Sequence, residues 1–449
     1  MNDPVASTSW LKRLWRRFLR LDSPSPTLSP EEVEREIERN YRWNFAVNLL
    51  DGVVFWFGLN LISTRTIMPL FLNRLTPSHL PIAILAIIGQ SAWALPQLFT
   101  ANMVEKAPRM KPIAVNLGFF TERLPLWLLA FSALLATDHP RLTVWLVLFF
   151  FGWHAFGAGV IATAWQELIA RCFPVNKRGF FFGLSNFIGT GIGVVSGGIS
   201  AAILKDYPFP QNFFYLFLAA AFLITLSWFF LSLTREPPVP HAAPEEGRTL
   251  TDFLRELPDL LRQDRNYRNY LISTVWTGLG NMGLGFVTVA ALERWSVSDA
   301  TVGYYTSAML FGQTIGNLLF GVLGDRYGHK ANNAWGGAFL SGVAFLVAML
   351  APSPAWFYLV FFLLGLALGA WIVSGTMITM EFGTPERRPT YIGLTRTLTG
   401  IIGIISPLIG MGLAEVGYTP LFAASALTSF LGWAYLQWKV EEPRSQARA

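Results

Sequence analysis

Twelve apolar runs of roughly twenty residues each, separated by polar loops, leave this chain few folds to adopt. A helix that crosses the hydrocarbon of a bilayer needs about 20 apolar residues, and inside lipid every backbone polar group must be satisfied within the segment. The runs fall at 44–72, 79–100, 112–136, 142–170, 180–204, 211–233, 269–292, 300–321, 333–351, 355–380, 391–414 and 419–438. The sequence therefore predicts an all-α membrane protein with twelve transmembrane helices. Charged residues make up 14% of the chain, against about 25% in ordinary soluble domains. Its 17 tryptophans and 37 phenylalanines suit helices that meet lipid and its interfaces. The net charge of +6 does not point to a nucleic-acid partner, because the basic residues sit in loops between apolar runs. The single Cys172 excludes an intramolecular disulfide and fits no metal cluster. Residues 1–43 are polar and charged, so no cleavable signal peptide is expected there.

One connection, 234–268, is longer than the rest, begins Pro-rich and then carries a short amphipathic stretch near 251–263. It divides the chain into a six-helix bundle at 44–233 and another at 269–438, with tails at 1–43 and 439–449. Lys and Arg in short loops set orientation. With the N-terminus inside, the inner loops hold Lys106, Arg109, Lys111, Arg171, Lys177, Arg178, Arg326, Lys330, Arg387 and Arg388. The outer loops hold only Arg74, Arg141, Lys205 and Arg294. Both tails and the linker are thus expected on the cytoplasmic side of a plasma membrane, the cell inner membrane. The N-terminal "WLKRLWRRFLRL" gathers Trp10, Leu14, Trp15, Phe18 and Leu21 on one helical side and basic residues on the rest. Such a segment can lie on an anionic membrane surface; it can equally be an extended positive-inside tail.

The two halves repeat. The loop after the second run reads "ANMVEKAPRMK" (101–111), and the loop after the eighth reads "GVLGDRYGHK" (321–330). Glu105 aligns with Asp325, Lys106 with Arg326 and Arg109 with His329, at an offset of 220. "PVNKRGFFFGLSN" before the fifth run and "PERRPTYIGLTR" before the eleventh align Arg178 with Arg388, at an offset of 210. An even number of crossings per half gives parallel halves related by an axis along the membrane normal.

"GVLGDRYGHK" resembles motif A of the major facilitator superfamily, Gly-x-Leu-Ala-Asp-Arg-x-Gly-Arg-Lys, departing from it at Gly324 and His329. The superfamily carries this motif after helix two and, in weaker form, after helix eight; here the better copy is in the second half. The resemblance spans the six-plus-six layout and implies transport by alternating access. It also implies a cytoplasmic gate built from Gly321, Asp325, Arg326, Gly328 and Lys330, with Glu105 and Arg109 in the first-half copy. In that gate Asp325 would meet the N-terminal end of the fifth helix, near Gly179, where unpaired N–H groups and the helix dipole favour an anion. Glu105 would serve the eleventh helix in the same way, near Pro389. Charge pairs Glu167–Arg178 and Glu381–Arg388 would add to it. The bland alternative is that these charges only set topology.

"GTGIGVVSGG" in the fifth run resembles motif C of the superfamily's drug/proton antiporters. Gly189, Gly193, Gly197 and Gly198 match, with Val194 where that motif has proline. Small residues at this spacing also let membrane helices pack closely whatever the function.

Charges inside membrane segments are costly and are functional candidates by default. Proton coupling needs a group that changes charge near neutral pH inside the pathway, which a buried carboxyl or a histidine can supply. Asp51, Glu122 and His154 are the candidates, with Asp51 first. Asp51 lies on one stripe of the first helix with Asn48, Phe55, Gly58, Ile62 and Arg65, and in the family architecture that stripe would face a central cavity. Glu122 can instead form a permanent ion pair with Arg123 or Arg65. Arg65 and Arg123 can bind an anionic solute, or Arg65 can snorkel to the surface. Trp165 shares the His154 face of the fourth helix. The second half offers Trp276, Asn281, Gln313, Asn317, Trp371 and Ser374 to the cavity. A cavity titratable on one side and apolar on the other suits an amphipathic or aromatic solute.

The leading expectation is a proton-coupled antiporter that exports hydrophobic or amphipathic small molecules; the alternative is a proton symporter for an organic anion or nutrient. A membrane enzyme is disfavoured, because no nucleophile–base set, metal motif or phosphate loop is visible. The partners expected are a small-molecule solute, protons and the lipid bilayer. The protein is expected to act as a monomer, with no cofactor beyond the proton gradient and no metal.

Overall fold

The structure, a computed structural model, describes residues 29–97, 107–238, 261–382 and 388–443, with Trp10, 17–19 and Thr100. Every regular element among them is helical. Ten helices are long and apolar enough to cross a bilayer. The apolar helix Leu80–Ala92 and the 22-residue helix Tyr418–Lys439 stand at the second and twelfth expected positions. Most of the basic N-terminal segment, residues 251–260 of the expected linker helix, Glu105, Lys106 and Arg387, and the side chain of Arg388, lie outside the described residues.

The first helix begins at Pro30, well before the expected residue 44. Ser29 starts it with a reciprocal cap: its hydroxyl accepts from the Glu32 N–H at 3.3 Å, and the Glu32 carboxylate accepts from the Ser29 N–H at 2.8 Å. Such caps stabilise a helix by about 1 kcal/mol. Hydropathy misses this start because "EEVEREIERNYR" is polar.

The repeat reappears in the irregularities. The first crossing is broken at 62–66, between Pro30–Leu61 and Ile67–Leu75. The seventh is interrupted at the matching place, where Arg265–Gly280 gives way to a tight turn at Asn281–Gly283 before Val287–Trp295. π-helical turns widen the third crossing at Ile113–Leu117 and Phe119–Arg123, and the ninth at Asn332–Phe339. Ile113 and Asn332 are 332 − 113 = 219 positions apart, close to the loop offset. Breaks of this kind concentrate where helices carry function.

The helix ends define two faces. The tail face carries Pro30, Ser232, Arg265 and Lys439; the far face carries the 75–80, 295–299 and 416–418 connections. At the far face one apolar core runs through both halves, joining Met68 and Phe71 to Phe286, Val289 and Tyr305. Toward the tail face the core divides in two, one around Phe173 and Phe181, the other around Tyr267 and Tyr391.

Crossings five and eight follow this division. A Cβ added at Gly197 would stand 2.3 Å from the Ser307 hydroxyl, and one at Gly193 would stand 3.0 Å from Leu310. At Gly183, nearer the tail face, and at Gly321 on crossing eight, a Cβ would meet nothing within 4 Å. The helices touch at their far ends and diverge toward the tail face. Gly189 packs on Trp56 of crossing one, while a Cβ at Gly198 meets nothing. A tighter seam, absent from the sequence reading, joins crossings eight and ten through Gly312, Gly316, Gly365 and Gly369, where a Cβ at Gly365 would lie 1.9 Å from the Met309 carbonyl oxygen.

Candidate functional site

Asp51 lies inside the first bundle and is 5% exposed. The Ser227 hydroxyl on crossing six donates to its carboxylate at 2.5 Å. The expected orientation of its stripe differs from the observed one. Asn48 donates its amide to Thr234 Oγ1 at 3.1 Å and to the Asn44 carbonyl at 2.8 Å. A Cβ at Gly58 would meet Ile224 and Leu223. The stripe therefore faces crossing six. The next face of the helix, at Gly52, Trp56 and Asn60, packs on Ser185, Gly189 and Gly193 of crossing five. Three small-residue contacts fix this rotation, and no periodicity in crossing one alone could set it. Phe55 packs against the far-face core.

Four more groups close on Asp51. Glu122 and Arg123 form an ion pair on crossing three, 4% and 3% exposed. Of the two expected readings of Glu122, its position fits the permanent pair, and Arg123 is thereby enclosed in the bundle rather than offered to a solute. Arg123 also donates to the Gly118 carbonyl at 3.3 Å. His154, 3% exposed, donates from Nδ1 to the Glu122 carbonyl at 2.7 Å, which leaves Nε2 as the acceptor of the neutral ring. Asp51 is within electrostatic reach of Glu122 and Arg123, with Trp165 beside it. Two carboxyls thus share one guanidinium, and the cluster is neutral when one carboxyl holds a proton.

The second set of groups lies where the broken helices of the two halves meet. The Thr288 hydroxyl donates to the Arg65 carbonyl at 2.8 Å, and Thr66 and Thr306 share a hydrogen bond of 2.6 Å. No side chain or carbonyl among the described residues hydrogen-bonds or pairs with the Arg65 guanidinium. The helix Ile67–Leu75 separates it from the far face, about 13 Å of rise. Ser91 on crossing two donates to the Gly400 carbonyl of crossing eleven at 3.1 Å.

The second-half candidates divide. Ser374 is fully buried, with its hydroxyl bonded to His329 Nδ1 at 3.0 Å and to the Asn332 amide at 2.9 Å, so it serves its own bundle. Gln313 and Asn317 sit in the seam with crossing ten, where a Cβ at Gly369 would approach their backbone. The Asn317 side-chain oxygen is buried without a hydrogen bond. Asn281 begins the turn that breaks crossing seven, Trp276 is half-buried, and Trp371 is 51% exposed.

The motif residues stay within their own halves in the contacts that follow. Glu167 pairs with Arg171 at 2.8 Å, not with Arg178 as expected. The i,i+4 spacing favours this partner. Arg178 instead donates to the carbonyls of Phe173, at 3.1 Å, and Ala170. Glu381 lies 4.0 Å from His329 Nε2. Gly328 has φ +96°, and a Cβ there would stand 2.3 Å from the Glu442 carboxylate, so this position requires glycine. Lys330 donates to the Gln437 carbonyl at 3.2 Å, Arg326 lies 5.4 Å over the Tyr327 ring, and Asp325 is exposed.

Residues 270–449 match the Major Facilitator Superfamily. A gentisate transporter of Corynebacterium glutamicum is 32% identical over 107 residues, 24% of each chain. The niacin transporter NiaP of Acinetobacter baylyi is 23% identical over 126 residues, 28% of each chain. These stretches span about a quarter of the curated relatives' length. A D-xylose–proton symporter structure aligns with a TM-score of 0.60 at 15% identity, over 89% of this chain and 98% of that one. Over 89% of its length the chain therefore has the fold of that structure, and its second half is similar to the Major Facilitator Superfamily.

Proposed function

We propose that this multi-pass membrane protein, with the Major Facilitator Superfamily fold along its length, is a secondary active transporter that couples small organic anions to protons by alternating access. The observation that carries the anion is the Arg65 guanidinium, which has no described partner at the junction of the halves. A charged arginine at depth in a membrane costs about 3 kcal/mol or more unless paired. A carboxylate solute supplies the missing bidentate partner when it enters. The gentisate and niacin of the relatives' names are both carboxylic acids. The proton goes to the Asp51 cluster, whose second carboxyl has no cation of its own. Ten helical steps, about 15 Å of rise, separate Asp51 from Leu61 at the edge of the break that carries Arg65, so the cluster acts on the solute through movement of that helix.

With both tails in the cytoplasm of a plasma membrane, the far face is outer and this conformer is open inward. The Asp325 loop then latches onto crossing five when the tail face closes. We further read the chain as a monomer.

Proton-driven export of hydrophobic compounds remains the second reading, favoured by the glycine pattern of crossing five. Gly193 and Gly197 already have a packing role on crossing eight, which weakens it. A solute panel in proteoliposomes under an imposed pH gradient separates the two. Carboxylate uptake accompanied by proton entry supports the anion reading. Proton-driven movement of hydrophobic cations, with carboxylates inert, would replace it.

A further inference from the structure

The tail face of the first bundle carries a pocket of about 350 Å³ between the start of crossing three and the end of crossing six. Arg109, Lys111, Asn116 and Arg235 line it over the apolar Val115 and Leu233. Its acid, Glu236, is already engaged. The Glu236 carboxylate accepts from the Met110 and Lys111 N–H groups at 2.7 and 3.0 Å and lies 3.6 Å from Arg171. Arg235 is steadied by the Asn40 side chain at 3.2 Å and the Trp43 ring at 4.8 Å. The Arg109 guanidinium takes no hydrogen bond or ion pair from the described residues. The pocket is thus a cationic recess with unspent charge.

A second observation points to what fills it. Asn116 donates its amide to the Phe18 carbonyl at 2.8 Å, and the Phe18 ring packs on Phe120 at 6.0 Å. Residues 17–19 are therefore fastened beside the pocket, with Leu19 1% exposed in the core and Arg17 exposed. The Trp43 and Trp228 indoles donate to the carbonyls of Leu233 and Val115, at 3.0 and 2.8 Å. Trp43 and Phe120 remain 43% and 49% exposed. Aromatic side chains with a satisfied polar end and an exposed apolar body mark the boundary between lipid and water.

We infer that this pocket holds the phosphate headgroup of an anionic phospholipid from the leaflet at the tail face. Arg109 takes the phosphate, Lys111 adds positive charge beside it, and Val115 and Leu233 meet the glycerol end of the chains. The exposed aromatic rim selects a lipid over a soluble phosphate, which has nothing to place there.

Native mass spectrometry of the full chain, purified with phosphatidylglycerol or phosphatidylcholine, tests this. Retention of phosphatidylglycerol over phosphatidylcholine is expected in the wild type. Arg109→Gln with Lys111→Gln should weaken retention about fivefold per cation removed. Arg109→Lys with Lys111→Arg keeps the charge and should keep the lipid, which separates lost binding from lost folding. Lys205→Gln, at the other end of the bundle, should change nothing. Equal retention by the double Gln variant and the wild type, or an equal loss with Lys205→Gln, overturns the assignment. Displacement of the lipid by glycerol phosphate alone would also overturn it, giving the pocket to a soluble phosphate.

Discussion

The His79 imidazole of the first half stands 3.1 Å from the Glu415 carboxylate of the second. The same ring bonds the Tyr418 hydroxyl at 3.0 Å and lies 3.9 Å from Glu293. With the Arg74–Asp299 ion pair, these contacts bolt the far face across the two bundles.

The bolt should hold the far face closed. His79→Gln breaks up the contacts with Glu415, Tyr418 and Glu293 and should shift the protein toward a far-face-open state by about 1 kcal/mol. Spin-label distances across the far face, compared between wild type and variant, measure it. An unchanged distance distribution in the variant would remove His79 from the gate.

Glu122→Gln takes away the direct ion-pair partner of the buried Arg123 and leaves only the Asp51 carboxylate within electrostatic reach. It should cost about 3–5 kcal/mol of stability, read as a lowered melting temperature. Replacing both residues with Leu should recover most of the loss. A double variant as unstable as the single one would show that the pair is not the cause.

Gly365→Ala drives a Cβ into the Met309 carbonyl, a backbone atom that cannot swing aside. A loss of about 1–3 kcal/mol is expected. Gly198→Ala, which meets open space, should be close to neutral in the same melt.

Asp51→Asn keeps the Ser227 contact but cannot gain or lose the proton. It should retain solute exchange between the two sides of a vesicle and lose uphill accumulation driven by a pH gradient. Full accumulation in the variant would take the proton site away from Asp51.

Much of this is legible in the sequence. Apolar length places the crossings, and the paired loops 101–111 and 321–330 give an offset that the breaks at 62–66 and 281–286 then repeat. Rotation about a helix axis is harder to read. Asn48 and Asp51 share a stripe, but only Ser185, Gly189 and Gly193 of crossing five decide that it faces crossing six. The sequence offers Glu122 both Arg123 and Arg65 as partners, and the π turn that holds the two neighbours selects Arg123. The seam between crossings eight and ten was also open to view, since Gly312–Gly316 and Gly365–Gly369 carry the four-residue spacing. The glycines of crossing five share that spacing, and spacing alone does not say which two helices it joins.

The central claim is that Arg65 receives an anionic solute while the Asp51 cluster carries the proton. Proton-driven uptake of aromatic carboxylates into proteoliposomes, compared between wild type and Arg65→Gln, tests it most directly. Loss of a charge-assisted bidentate contact should raise the half-saturating carboxylate concentration about 10- to 100-fold, with Arg65→Lys in between and the melting temperature held. Wild-type carboxylate affinity in Arg65→Gln would contradict the account.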